Sequence, residues 1–225
     1  MGVFYGPARK SIVSSGLIGY WDATKTNSYP GSGTTWTDLS GRGANGTLSG
    51  SPTFSSGEMV FDGVDDYFDS VSTTGINTGA ITHCCLFNIT STPVGSRPVF
   101  GNGQTYTNGI VIGASLGSPT LSAFYRVGTT NYQSTPLTGS LNTWYFVTSC
   151  WTSGGTVKMY RNGTLHSESA IATGSIGSLL GTYTMAKQQT FYLACKISMA
   201  AVYSRELTAS EINTNYLIFK DRYGL

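Results

Sequence analysis

Along this chain apolar positions come in short runs that alternate with polar ones, and they almost never recur at helical spacing. The clearest run is Ile81-Thr82-His83-Cys84-Cys85-Leu86-Phe87-Asn88-Ile89. Its odd positions Ile81, Cys85, Phe87 and Ile89 are apolar, while Thr82 and Asn88 lie on the other side. A period of two sends successive side chains to opposite faces, so this run predicts a strand with one face in a core. Further strands are predicted at 16–22, near Thr47-Leu48, at 58–61, at Val99-Phe100, at 109–114 and at 121–125. Residues 191–203 read as one long strand. The sharpest hairpin joins 144–151 to 156–161 through Thr152-Ser153-Gly154-Gly155. Asn162-Gly163 follows directly and predicts a second tight turn, because both central residues of a type I′ turn take positive φ. Two successive hairpins make an antiparallel meander.

One segment has helical chemistry. Thr208-Ala209-Ser210-Glu211 has the pattern of a capping box, with Leu207 and Ile212 at the staple positions. The helix it opens is predicted to run to about Phe219 and to bury Ile212 and Tyr216. A dozen or so short strands with one terminal helix describe an all-β, two-sheet antiparallel sandwich with a short C-terminal α-helix. A sandwich of 225 residues commonly forms one domain. Residues 16–225 are assigned to it. Residues 1–15 have no period, and with Phe4-Tyr5 and Ile12-Val13 as apolar anchors they form either an extended N-terminal arm or a partly disordered terminus.

Composition narrows the function classes. The 29 Gly and 14 Tyr, with only 11 % charged residues, suit strands joined by tight turns. The net charge of +2 comes from scattered cations, of which only Arg9-Lys10 are adjacent. A counterion-releasing surface for nucleic acid is therefore not expected. No apolar run is long enough to span a membrane, and no apolar segment of an export signal is visible near the start. Cys84, Cys85, Cys150 and Cys195 are expected as buried free thiols, with the adjacent pair pointing to opposite faces. Neither His83 nor His166 has a Cys or His at zinc-ligand spacing.

Several segments carry a resemblance: residues 16–23, 38–48, 60–67, 144–147 with 157–163, and 202–208. In this order they are similar to the laminin-G-like jelly-roll domains of the concanavalin A-like lectin/glucanase superfamily. The resemblance implies a lectin-like jelly roll. Residues 1–7, 28–36 and 222–225 are also similar to structural proteins of tailed bacteriophages, especially large marine myoviruses of cyanobacteria. That likeness implies a non-enzymatic virion component (decoration, neck or fibre) assembled in the host cytoplasm. Its partners would be other virion proteins, reached through the arm, further copies of itself in a homo-oligomer, and host surface glycans. The alternative is a carbohydrate-binding module of a bacterial surface or secreted protein. One departure stands out: the family often has an acidic residue after Gly-Lys-Ile, whereas this chain has Cys195-Lys196-Ile197-Ser198. A function tied to that charge is not implied here.

Candidate chemistry concentrates between Trp36 and Asp69. Five of the eleven acidic residues lie from Glu58 to Asp69. Calcium takes six to eight oxygens, and Asp38, Asp62, Asp65 and Asp66 are the candidate ligands. The competing reading makes Gly63 a turn residue and the carboxylates acceptors for loop amides. No other cofactor is implied. Glycoside hydrolysis needs two carboxyls flanking the cleaved bond. The superfamily's glucanases place them as Glu-x-Asp-x-x-Glu, which this chain lacks, and Glu58 with Asp62 is the nearest same-strand pair. No enzymatic activity is expected. For sugar binding, Trp36, Tyr106, Tyr125 and Tyr132 lie near Gly, Asn and Thr and are the candidate stacking rings, while Trp21, Phe61, Phe87, Trp144 and Phe146 are assigned to the core.

Overall fold

The computed structural model describes residues 11–71, 79–93, 95, 97–102, 108–115, 118–127, 130–174 and 182–225. The first strands are β1 (Leu17–Asp22), β2 (Thr35–Trp36), β3 (Gly46–Ser49), β4 (Thr53–Ser55), β5 (Glu58–Asp62) and β6 (Tyr67–Ser70). Then come β7 (Ala80–Ile89), β8 (Arg97–Asn102), β9 (Asn108–Ser115), β10 (Ser118–Val127), β11 (Thr130–Gln133) and β12 (Leu137–Thr138). The meander is β13 (Trp144–Thr152), β14 (Gly155–Arg161) and β15 (Thr164–Ala172). Last are β16 (Tyr183–Met185), β17 (Lys187–Gln188), β18 (Phe191–Tyr192), β19 (Ala194–Tyr203) and helix α1 (Ala209–Tyr223).

Two sheets form the sandwich. One has the order β15-β14-β13-β7-β19-β5-β4, with β1 also on β19. The other has the order β11-β10-β9-β8-β16-β6-β3-β2, with β12 on β10. Every pairing among the described residues is antiparallel. This is the expected jelly-roll sandwich. Its core lies between the sheets, where Trp21, Phe61, Phe68, Phe87, Phe100 and Trp151 are fully buried.

Strand β7 was expected to bury one face and buries both. Ile81, Cys85, Phe87 and Ile89 join the inter-sheet core, while Cys84 and Leu86 lie in a second cluster with Phe146, Ile212, Tyr216 and Phe219. Helix α1 covers that outer face, so the sheet is sandwiched twice. All four cysteines are free and buried, and Cys84 and Cys85 do point to opposite faces. Burial pushes the Cys84 thiol up to about 12, which keeps it protonated and inert.

The expected capping box is present: Thr208 Oγ1 accepts from the Glu211 amide at 3.3 Å, and the Thr208 amide donates to Glu211 Oε2 at 2.9 Å. Arg205 adds two bonds to the same carboxylate, at 2.9 and 2.6 Å. Together, with the Arg205 hydrogen bonds foremost, they lower the Glu211 carboxyl to about 2. The helix runs one turn past the expected end at Phe219, because its stop signal is Gly224 in the left-handed region, whose amide donates to the Lys220 carbonyl.

The single strand expected over 191–203 is two. Positive φ at Ala186 and Gln189 folds β17 and β18 into a separate small hairpin, and β19 starts afresh at Ala194. A bulge at Ser198 then shifts the inward-facing set of β19 from Cys195 and Ile197 to Ala200 and Val202. Ser198 Oγ donates to the Gly57 carbonyl at 2.9 Å and accepts from the Tyr223 hydroxyl at 2.5 Å. The residue that stands in place of the family's acid therefore ties the bulge to the last turn of α1. Of the expected arm, Ile12 is buried under the helix and the Val13 amide donates to Asn215 Oδ1 at 2.9 Å. Residues 1–10 lie outside the described residues. No helix among the described residues is long and apolar enough to cross a membrane.

Candidate functional site

The acidic turn joins β5 to β6 at one rim of the sandwich. Gly63 takes φ +82, and a Cβ on it would fall 2.7 Å from the Ala194 nitrogen, so only glycine lets the turn lie against the start of β19. Asp62 Oδ1 accepts from the Val64 amide at 2.8 Å and the Asp65 amide at 3.4 Å, while Asp66 Oδ2 accepts from the Asp62 amide at 3.0 Å. These are local caps, and they bring carboxylate atoms of Asp62, Asp65 and Asp66 within 4.8 Å of one another. Asp66 is buried while Asp62 and Asp65 are exposed. Burial is the main cause that raises the Asp66 carboxyl. The Asp62 and Ser51 amides oppose that rise, and the charges of Asp62 and Asp65 add to it.

Asp38 does not join them. Its carboxylate accepts from the amides of Tyr20 (2.8 Å), Ser40 (2.9 Å) and Ala44 (3.0 Å) and from the Ser40 hydroxyl (2.7 Å), which makes it the keystone of the 38–44 loop. Three of the four calcium candidates thus meet. Three carboxylates, two of them engaged by main-chain amides, fall short of the six to eight oxygens that calcium takes.

The expected stacking rings fare differently. Trp36 is fully buried, edge-on to Phe68 at 5.5 Å between ring centres. Its strand partner is Gly46, where a Cβ would collide with the Phe68 ring, so the register itself opens the inward space these rings fill. Tyr125 is also fully buried, its hydroxyl 3.0 Å from His83 Nδ1 and 2.9 Å from Ser149 Oγ. Neither ring offers a face to a sugar, and both expectations are corrected. Tyr132 is half-buried against the core, and Tyr106 lies outside the described residues.

The rim carries a different constellation. A groove of about 210 Å³ is lined by Asp62, Gly63, Ser91, Thr92, Pro93, Arg97, Tyr192, Leu193 and Ala194. The Arg97 guanidinium carbon stands 4.3 Å from the centre of the Phe191 ring, and burial lowers its pKa from the ordinary arginine value. Tyr192 leans on Tyr67 at 6.1 Å, and Lys187 Nζ lies 3.3 Å from the centre of the Tyr67 ring. The β17–β18 hairpin supplies Lys187, Phe191 and Tyr192, and Tyr67 follows the acidic turn directly. A second cavity of about 440 Å³ is lined by Gly33, Thr34, Leu48, Gly50, Ser51 and Pro52. A Cβ on Gly50 would meet Asp66 Oδ1 at 2.5 Å and the Asp65 carbonyl oxygen at 2.6 Å, so glycine there lets the chain beside this cavity lie against the acidic turn. Arg97, Phe191 and Tyr192 escaped the sequence reading because Phe191 and Tyr192 were absorbed into a long strand. The polar run Gln188-Gln189-Thr190 was the available turn signal.

A sequence profile of a laminin G family, described as the concanavalin A-like lectin/glucanases superfamily, matches residues 62–213. No curated protein matches the sequence. Among solved structures, the binding domain of botulinum neurotoxin serotype D is similar, with TM-score 0.69, 16 % identity, and coverage of 91 % of this chain and 52 % of that one. The same serotype's ligand-binding domain in complex with N-acetylneuraminic acid has TM-score 0.69 and 16 % identity over 91 % of this chain and 51 % of its own. The Trypanosoma rangeli sialidase in complex with sialic acid has TM-score 0.65 and 16 % identity over 92 % of this chain and 33 % of its own. This chain thus spans about half of the toxin domains and a third of the sialidase. At these identities the likeness concerns the fold.

Proposed function

From a chain that belongs to the concanavalin A-like lectin/glucanase superfamily, we propose a non-enzymatic, glycan-adhesive domain displayed on the particle of a tailed phage. The groove beside the acidic turn carries the adhesive part of this reading. It combines a carboxylate (Asp62), a guanidinium (Arg97), two hydroxyl side chains (Ser91 and Thr92) and an aromatic ring (Tyr192) in a hollow of sugar size. Similar folds crystallised with N-acetylneuraminic acid and sialic acid support a sugar ligand for the architecture. Catalysis is left out because the nearest same-strand acid, Glu58, is paired with Lys196 at 3.1 Å, and Asp62 caps its own turn.

The virion placement rests on the sequence likeness of residues 1–7, 28–36 and 222–225 to tailed-phage structural proteins. Many copies on one particle would raise the avidity of a weak site by roughly 10² to 10⁴ where geometry permits. Two measurements test the proposal. On a glycan array the purified protein should bind a sugar, and Tyr192→Ala should lose that binding with an unchanged melting temperature. Binding that survives the substitution would remove the groove from the account. Cryo-EM and mass spectrometry of intact particles should find the protein in many copies, and its absence would refute the virion placement.

A further inference from the structure

Resting on the glycan-binding reading above, we propose that Lys187, Tyr67 and Phe191, none of which lines the groove, are positioning residues. They clamp the β17–β18 hairpin from its two faces and so hold the groove wall on which Tyr192 meets a sugar.

The hairpin needs such a hold. β17 and β18 form a two-stranded sheet of their own, off both large sheets, and pair only at Lys187 with Tyr192 and at Gln188 with Phe191. A two-stranded hairpin is marginal in water by itself. Main-chain bonds fix its base: the Ala186 amide donates to the Val99 carbonyl at 3.1 Å, and the Leu193 amide donates to the Ala186 carbonyl at 2.9 Å. Beyond the base, side chains take over. Cross-strand partners share a face of a hairpin, and successive residues along a strand do not. Lys187 and Tyr192 therefore lie on one face, and both meet the Tyr67 ring of β6, with Lys187 Nζ 3.3 Å and the Tyr192 ring 6.1 Å from its centre. Phe191 lies on the other face, where the Arg97 guanidinium carbon of β8 stands 4.3 Å from its ring centre. The two contacts are reciprocal, because the hairpin gives a cation to a ring on one face and a ring to a cation on the other. Tyr192, Leu193 and Ala194 are consecutive lining residues, so a swing of the hairpin would carry one wall of the groove with it. A wall that is already fixed spares the sugar the cost of ordering it.

The test reads wild type and variants on one array of neutral and sialylated oligosaccharides, and reads the hairpin separately as hydrogen exchange at the Leu193 amide of the sugar-free full chain. Lys187→Met and Tyr67→Leu should each weaken sugar binding about two- to fivefold and speed that exchange by a similar factor. The double variant should bind no worse than either single one, because both substitutions remove the same contact. Lys187→Arg and Tyr67→Phe keep the cation and the ring and should behave as wild type. Phe191→Leu should reproduce the losses from the opposite face. Melting curves of all variants separate a displaced hairpin from a lost fold. Wild-type binding by Lys187→Met and Tyr67→Leu overturns this inference and leaves the glycan-binding reading in place, and so does a loss that Lys187→Arg and Tyr67→Phe share. Unchanged exchange at Leu193 in Lys187→Met and Tyr67→Leu overturns the clamp whatever the array shows. A wild type that binds no oligosaccharide overturns the glycan-binding reading and the positioning role with it.

Discussion

Acidification from pH 7 to pH 5 should weaken this fold through His83, above the range in which the depressed Glu211 carboxyl takes up its proton. The imidazole is fully buried between the sheets, 3.0 Å from the Tyr125 hydroxyl, with the rings of Phe100 and Tyr183 at 5.7 and 5.9 Å. Burial lowers its pKa from 6.5 to about 3. The unfolded chain therefore binds this proton first, and stability is complete above about pH 6.5. The His83 contribution falls as pH drops below that value and levels off only near pH 3. Each pH unit inside this window costs about 1.4 kcal/mol. At pH 5 the loss is roughly 2 kcal/mol, and over the whole window it approaches 5 kcal/mol. Asp66 and Asp69, whose carboxyls burial raises, act in the opposite sense as they take up protons in the folded state. The diagnostic quantity is therefore the difference between wild type and His83→Gln in urea unfolding at pH 7 and pH 5, followed by tryptophan fluorescence. The wild type should lose about 2 kcal/mol more than the variant between the two pH values. An identical loss in both proteins would show that His83 does not stay neutral in the folded state and would refute the reasoning.

Three further perturbations bear on the fold and the site. Gly163→Ala should destabilise by more than about 1 kcal/mol in urea unfolding, since φ is +78 and the new Cβ would meet the Tyr216 ring at 2.8 Å. Gly154→Ala, at φ +81 with open space around it, is the control that isolates the backbone cost alone. Thr208→Ala removes the hydroxyl of the capping box and should cost about 1 kcal/mol, read as a lower urea midpoint at unchanged slope. Calcium at millimolar concentration should leave the melting temperature where chelator leaves it, because Asp62 and Asp66 act as caps for the turn, and a clear upward shift would instead make the turn a cation site.

The success of local signals and the failure of others share a physical cause. Asn162-Gly163 and Thr208 to Glu211 were legible because a type I′ turn and a capping box are closed by residues a few positions apart, and both formed as read, with φ +49 and +78 at the turn. The period of β7 was equally legible, but whether its even face meets water or a helix is set by α1, whose residues come more than a hundred positions later. The same limit governs the site. Asp62, Asp65 and Asp66 were found because they are neighbours in sequence. Arg97 and Tyr192 were missed because they reach the turn through the pairings of β8 with β16 and of β19 with β5.

From the amino-acid order alone came the antiparallel sandwich, the terminal helix with its cap, the free thiols and the acidic turn, all of which rest on short-range alternation, glycine and proline punctuation, or composition. Only the tertiary structure decided which aromatics are core and which lie at the rim. Trp36 is interior because Gly46 across the ladder and the Phe68 ring leave a space of its shape. Phe191 stays exposed because the β17–β18 hairpin carries it off the sheet to lie against Arg97. Exposure is a property of what packs against a residue, and those partners are distant in sequence.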